Sequence, residues 1–229
     1  MSNGMKTSEA LQIIGGLSNT KKMACWSYGI PAKECKTGSK LRDVKDSTCY
    51  GCYALKGCYV FPVVKAAQYR RLASIKDPRW AQAMATAINS KQAPEFRWHD
   101  SGDVQDLDHL NKIFEVCRLT PGKRHWLPTR EAWIRDHVSR TPDNLIIRFS
   151  MPMVDQEPAG SWAHTSAVSS IATDASCPAF RTDKTGHVWD LLSFHQFDKK
   201  RKKELDLGHC GSCRRCWTHG IDNISYAQH

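Results

Sequence analysis

Three strand patterns recur between residues 96 and 150, the first two each followed by a helical one, and this order confines the chain to a small set of folds. Phe96-Arg-Trp-His99 alternates like a strand and stops at Asp100-Ser-Gly-Asp103, after which Leu107, Leu110, Ile113, Phe114 and Cys117 recur at helical spacing. His125-Trp-Leu-Pro-Thr129 begins the second unit, with Ala132 to Val138 as its helix, and Leu145-Ile-Ile-Arg-Phe-Ser150 is the third strand. Strands joined by helices of this length cross over in the right-handed sense and lie parallel, in an open sheet or a barrel. The expected class is therefore α/β.

Ligand sites in parallel sheets are built from residues just past the strand C-termini. Here those residues are His99, Asp100, Ser101, Gly102 and Asp103 after the first strand, Thr129, Arg130 and Glu131 after the second, and Arg148 and Ser150 at the third. Together they predict one polar rim. Each also has a structural use: Asp103 or Asp106 can cap the next helix, and Arg130 can pair with Glu131 in solvent.

Outside this core the signals are weaker. Residues 1 to about 20 carry only Leu11, Ile13 and Ile14 before Gly15-Gly16, which suits a lead-in with one helical turn. From there to Lys56 turn formers and cysteines read as loop. Val63 to Leu72 fits a helix, and Asp77-Pro78 opens another with Trp80, Met84, Ala87 and Ile88 on one face. After Met151 the periodicity decays, with His187 to Leu192 as one further strand. The expected organisation is an N-terminal segment and cysteine loop (1–60), a βα core (61–150), and a remainder with a cysteine-rich loop (151–229), all in one domain.

Seven of the ten cysteines fall into two groups with ligand-like spacing. In the late group Cys210-x2-Cys213-x2-Cys216 can wrap one thiophilic object, and Cys177, in Cys-Pro, makes a fourth thiolate. Four is what a closed 4Fe-4S cluster needs; zinc is the alternative there, although its loops usually supply two separated pairs. The early group, Cys35 with Cys49-x2-Cys52, offers three thiolates and so leaves one iron open. Cys25 or Cys58 could close it as a fourth ligand. Disulfides compete with this reading, but the N-terminus has no apolar signal core and 229 residues can bury a core unaided. Cys117, on an apolar helix face, is expected to pack.

No apolar run is long enough to span a membrane. The net charge of +10 favours a polyanionic partner, nucleic acid first, unless Lys199 to Lys203 is a solvated stretch carrying much of the excess. Trp26, Trp98, Trp126, Trp162 and Trp217 could stack on bases, though core packing is the commoner fate of tryptophan. A zinc deaminase is excluded because no H-x-E element accompanies the cysteines.

Cys49-Tyr-Gly-Cys52-Tyr-Ala-Leu-Lys-Gly57, Arg97-Trp-His-Asp-Ser-Gly-Asp103 and Trp126-Leu-Pro-Thr-Arg-Glu131 resemble the gene-product-88 family of phage and prophage proteins. A weaker resemblance, in the order of a three-cysteine loop, an acidic Gly-containing strand end and further βα units, is to the radical S-adenosylmethionine enzymes. It implies a partial parallel βα barrel with a C-terminal cluster-binding extension. It also implies two 4Fe-4S clusters, one of them binding S-adenosylmethionine at its open iron. Ser101, Gly102 and Asp103 would take the place of the motif holding the methionine amino group. Arg148 or Ser150 would contact the cofactor further along, with Thr129 and Glu131 beside it. The family's C-x3-C-x2-C signature is here C-x13-C-x2-C.

What the resemblance implies is an iron–sulfur enzyme with His99, Asp100 and Arg130 as catalytic residues; the positive charge adds a nucleic acid or nucleotide as its substrate, in the host cytoplasm. The competing expectation is a nonenzymatic phage protein, stabilised by zinc or clusters, that binds nucleic acid or a host partner.

Overall fold

The computed structural model describes residues 4–23 and 25–228; the first three residues of the expected lead-in lie outside them. A single seven-stranded sheet organises the chain: β1 (Ser18–Asn19), β2 (Trp26–Tyr28), β3 (Glu95–Trp98), β4 (Arg124–Thr129), β5 (Leu145–Ser150), β6 (Thr165–Ser169) and β7 (Asn223–Ala227). The strands stand side by side in chain order; β1 runs antiparallel to β2, and every other pair is parallel. The helices are α1 (Thr7–Ile13), α2 (Lys36–Leu41), α3 (Pro62–Ser74), α4 (Trp80–Asn89), α5 (Leu107–Leu119), α6 (Leu191–Gln196) and α7 (Lys199–Leu205). The expected α/β class and the three central strands are thus observed.

Alternation along the strands gives the sheet two unlike faces. Tyr28, Phe96, Trp98, Leu127, Leu145 and Ile147 join α1, α4 and α5 in the main core through Ile14, Trp80, Met84, Leu110, Ile113 and Phe114. Cys117 packs there as expected, fully buried. Tyr28 locks the sheet to the helices: its hydroxyl accepts Trp80 Nε1 at 3.2 Å and lies 2.9 Å from Arg71 O.

The intervening residues, Ser27, Glu95, Arg97, Trp126, Arg148, Ser150, Ser166 and Tyr226, share the opposite face by strand register. A parallel sheet needs both faces covered. Here the C-terminal segment covers the polar one: Trp217 packs edge-on against Trp126, and its Nε1 donates to Phe96 O at 2.9 Å.

Three expectations are corrected. The stretch read as loop before Lys56 contains β2, the first parallel strand, whose three residues are too few to show a period, and also α2. His187 to Leu192 is not a strand: Val188 makes only an isolated bridge to Thr182, and Asp190 caps α6 by accepting from Ser193 N at 2.9 Å. The segment after Met151, where one further strand is expected, supplies two, β6 and β7, both away from His187 to Leu192.

Candidate metal centres

The early cysteines are gathered at the C-terminal ends of β4 and β5. Glu131, just past β4, accepts Thr37 N at 2.9 Å and Thr37 Oγ1 at 2.8 Å, which ties the start of α2, and with it Cys35, to the rim. The second loop is tied to the end of β5: Thr48 N donates to Pro152 O at 2.9 Å, and Val154 N to Asp46 O at 2.9 Å. Between the loops, a Cβ built on Gly38 would stand 3.5 Å from Cys49 Sγ and 3.8 Å from Cys35 Sγ, so the missing side chain leaves room between two thiols.

Burial pushes the Cys35 thiol up, and the negative potential of Asp103, Cys52 and Cys49 adds to it. Burial raises Cys49 too, against the opposing charge of Arg130, whose side chain hydrogen-bonds it. Mutual repulsion among desolvated thiolates is what a bound cation would remove, so this donor set fits a metal centre.

The rim residues mostly brace this arrangement. Asp103 accepts Val104 N at 2.8 Å, Thr129 Oγ1 at 2.7 Å and Arg130 N at 2.7 Å; burial nonetheless raises its carboxyl to about 6. Arg130 does not pair with Glu131 in solvent: its guanidinium donates to Ser150 O at 2.9 Å and to Met151 O. The α5 cap is Asp106, which accepts from His109 N at 2.8 Å.

Ser101 Oγ donates to Ile30 O at 2.7 Å and accepts Gln68 Nε2 at 2.8 Å. Gly102 holds φ +80° with its Cα turned to Ile30, where a Cβ would meet Ile30 O at 2.7 Å. His99 is buried, with φ +53°, edge-on to His109 at 5.4 Å, and neither ring nitrogen has a partner among the described residues. Burial keeps its imidazole neutral, far below the ordinary range, helped by His109 and Arg97. Asp100 O accepts Tyr53 Oη at 2.6 Å, and its carboxylate accepts Tyr59 Oη at 3.3 Å.

The late cysteines meet on the polar face. Cys177, Cys210, Cys213 and Cys216 lie in one another's fields; burial, reinforced by that proximity, brings Cys210 to about 11 and Cys177 to about 12. Arg148, fully buried, belongs to this group rather than to the early rim. It donates to five carbonyls around the loop, Ile221 O at 2.9 Å, Arg215 O at 3.2 Å, Cys216 O at 3.3 Å, and Thr165 O and Thr218 O at 3.4 Å. Ser150 pairs with Ser166 across the strands at 3.2 Å.

Cys25, considered above for the early group, packs with Cys216, Trp126 and Trp217 instead, and Cys58 is exposed. All ten cysteines are free. Among the described residues, no three Cys, His, Asp or Glu donors are arranged to share a single metal ion. A cluster is larger than one ion and takes its thiolates from farther apart.

A match to one family model over most of the chain accompanies this geometry. The model for gene product 88 matches residues 3–219. The chain belongs to the gene product 88 family. No curated protein and no solved structure matches it. The family resemblance read from the cysteine loop and the two rim strings is therefore established. No helix among the described residues is long and apolar enough to cross a membrane.

Sequence reasoning passed over Arg97 and Tyr226. Arg97 reads as an exposed strand position, yet its guanidinium lies over Trp126 at 4.7 Å, donates to Tyr53 Oη at 3.3 Å and contacts Met23 Sδ at 3.1 Å. Its positive charge opposes the upward push of burial on Cys210 and Cys216. Tyr226 Oη lies 3.2 Å from Cys216 Sγ, within hydrogen-bonding reach, and nothing in the local sequence signals that contact.

Proposed function

We propose that this member of the gene product 88 family is a two-cluster iron–sulfur enzyme of the radical S-adenosylmethionine type, acting on a nucleic acid or nucleotide. The observation that carries the reading is the gathering of Cys35, Cys49 and Cys52 at the C-terminal ends of parallel strands, with Cys25 packed elsewhere. Chain order supports it: β2 to β7 are six consecutive parallel strands, the cysteine loop follows the first, and Ser101-Gly-Asp103 follows the second. Six strands laid down in order with one handedness of crossover are what a partial βα barrel is wound from.

Cys35, Cys49 and Cys52 would hold the open cluster, and Cys177, Cys210, Cys213 and Cys216 the closed one. When bound, the open cluster supplies an electron and a coordination position for S-adenosylmethionine. The chain's own residues supply position and charge. Arg130 compensates Cys49 and fixes the loop to β5, while Asp103 and Glu131 hold the rim backbone and α2. His99 is a neutral imidazole whose ring nitrogens have no partner among the described residues, suited to hold substrate by a hydrogen bond if the rim opens to it.

A second reading is favoured by the rim itself. Ser101, Asp103 and Glu131 already use their oxygens on protein donors, as in a braced scaffold. That suits a nonenzymatic, metal-stabilised nucleic-acid-binding protein. One experiment separates the two: anaerobic, reduced, iron-loaded protein incubated with S-adenosylmethionine. The enzyme reading expects methionine and 5′-deoxyadenosine, lost in Cys52→Ala; loaded protein that leaves S-adenosylmethionine intact contradicts it.

A further inference from the structure

The positive charge of this chain is concentrated. Residues 33 to 76 contain ten Lys and Arg against Glu34, Asp43 and Asp46, whereas the run Lys199 to Lys203 is flanked by Asp198, Glu204 and Asp206. That later run forms α7, where Asp198 accepts Arg201 N at 2.7 Å and Arg201 lies 3.6 Å from Glu204. The early basic segment also exposes aromatic rings: Tyr50, Phe61, Tyr69 and Tyr53 are 59%, 56%, 45% and 44% exposed.

A cavity of about 340 Å³ opens within this surface, lined by Lys33, Arg42, Tyr59, Lys65, Gln68 and Tyr69, and no carboxylate lines it. Among the described residues none of its three cations is in an ion pair. Its walls are fixed. Arg42 Nη2 donates to Ala32 O at 3.2 Å, buried Gln68 donates to Ser101, and Tyr69 Oη donates to Glu34 Oε1 at 3.1 Å. Two further lining residues, Ala54 and Leu55, lie two and three positions after Cys52, so the cavity backs onto the early cysteine loop.

Cations without counter-ions beside exposed aromatic rings match a phosphodiester chain with unpaired bases, because the phosphate meets charge while the base stacks. Bases inside a duplex are not free to stack on a side chain. We infer that this face docks a single-stranded nucleic acid, with a phosphate at Lys33, Arg42 and Lys65 and a base on Tyr69. The inference rests on the reading that the substrate is a nucleic acid, and it adds the strandedness and the place of docking.

Binding of a fluorescent oligodeoxythymidine of about 12 nucleotides to the full chain, followed by anisotropy across a salt series, tests it. The expected result is binding that weakens with salt. Lys33→Glu with Lys65→Glu should weaken it at least roughly tenfold and flatten the slope of log K against log salt by about 1.4. Tyr69→Ala should weaken it roughly tenfold at an unchanged slope, and Lys200→Glu with Lys202→Glu should leave it unaltered.

Three outcomes overturn the inference: no binding by the unaltered chain, equal loss in the α7 variant, or a duplex bound as tightly as the single strand. Iron content and circular dichroism of each variant identify a folding defect. Intact cleavage of S-adenosylmethionine without strand binding would sink this inference alone, and strand binding without cleavage would sink only the enzyme reading.

Discussion

The two cysteine groups are held by opposite means. The early thiols arrive on loops anchored at the ends of β4 and β5 by rim side chains, Glu131 to Thr37 and Arg130 to the carbonyls of Ser150 and Met151. The late thiols lie against the body of the sheet, where Arg148 gathers four carbonyls of the 215–221 segment and that of Thr165 in β6, and Trp217 and Tyr226 fill the space beneath. Thiol number alone does not assign roles. In the proposed reading position relative to the strand ends does: a set of three at the rim would leave an open side where parallel sheets bind ligands, whereas a set of four laid on the sheet would be closed.

Both groups rest on one helix-packed core, and acid tests that foundation. Burial lowers His109 and His125 to about 3, and His99 also lies well below the ordinary 6.5. The unfolded chain takes up these protons near 6.5, the folded chain only near 3 at His109 and His125 and well below 6.5 at His99. Stability from this source is therefore complete above pH 6.5 and lost as pH falls toward 3, at about 1.4 kcal/mol per pH unit for each histidine. Urea unfolding of the metal-free protein should show lower midpoints at pH 5 than at pH 7, and His125→Gln should reduce that slope by about one proton. Separate unfolding of the two cysteine regions would break the idea of a shared foundation.

Smaller effects should separate the groups. Arg148→Met leaves five carbonyls without their buried donor and should cost about 3 kcal/mol. Limited proteolysis is expected to open residues 205–222 first while sparing the early loop. Glu131→Ala removes the acceptor for both Thr37 donors and should cost about 1–2 kcal/mol. Hydrogen exchange should rise at residues 35–41 and stay unchanged at 210–217. Equal loosening of both regions by either variant would show that the two are coupled.

The central strands were legible because Phe96-Arg-Trp alternates, His125-Trp-Leu and Leu145-Ile-Ile are short runs of aromatic or branched aliphatic residues, and all three end in polar strings. β2 and β6 were not: Trp26-Ser-Tyr28 is too short for a period, and Thr165-Ser-Ala-Val-Ser169 is too polar to resemble a buried strand, although its first three residues are buried. In the candidate site, the local C-x2-C spacings declared themselves, but long-range partners could not. Cys25 is close in sequence to Cys35, yet the pairing of β2 with β3 carries it to the late group. Arg148 sits at a strand end, as the rim residues do, but side-chain alternation turns it to the other cysteines.

The most direct test is an anaerobic count of iron and acid-labile sulfide on the intact chain, on Cys49→Ala and on Cys213→Ala. The account predicts about eight irons per intact chain and about four in each variant, since each change should empty one 4Fe-4S site and spare the other. Zinc in place of iron, or a count that neither substitution lowers, would contradict it.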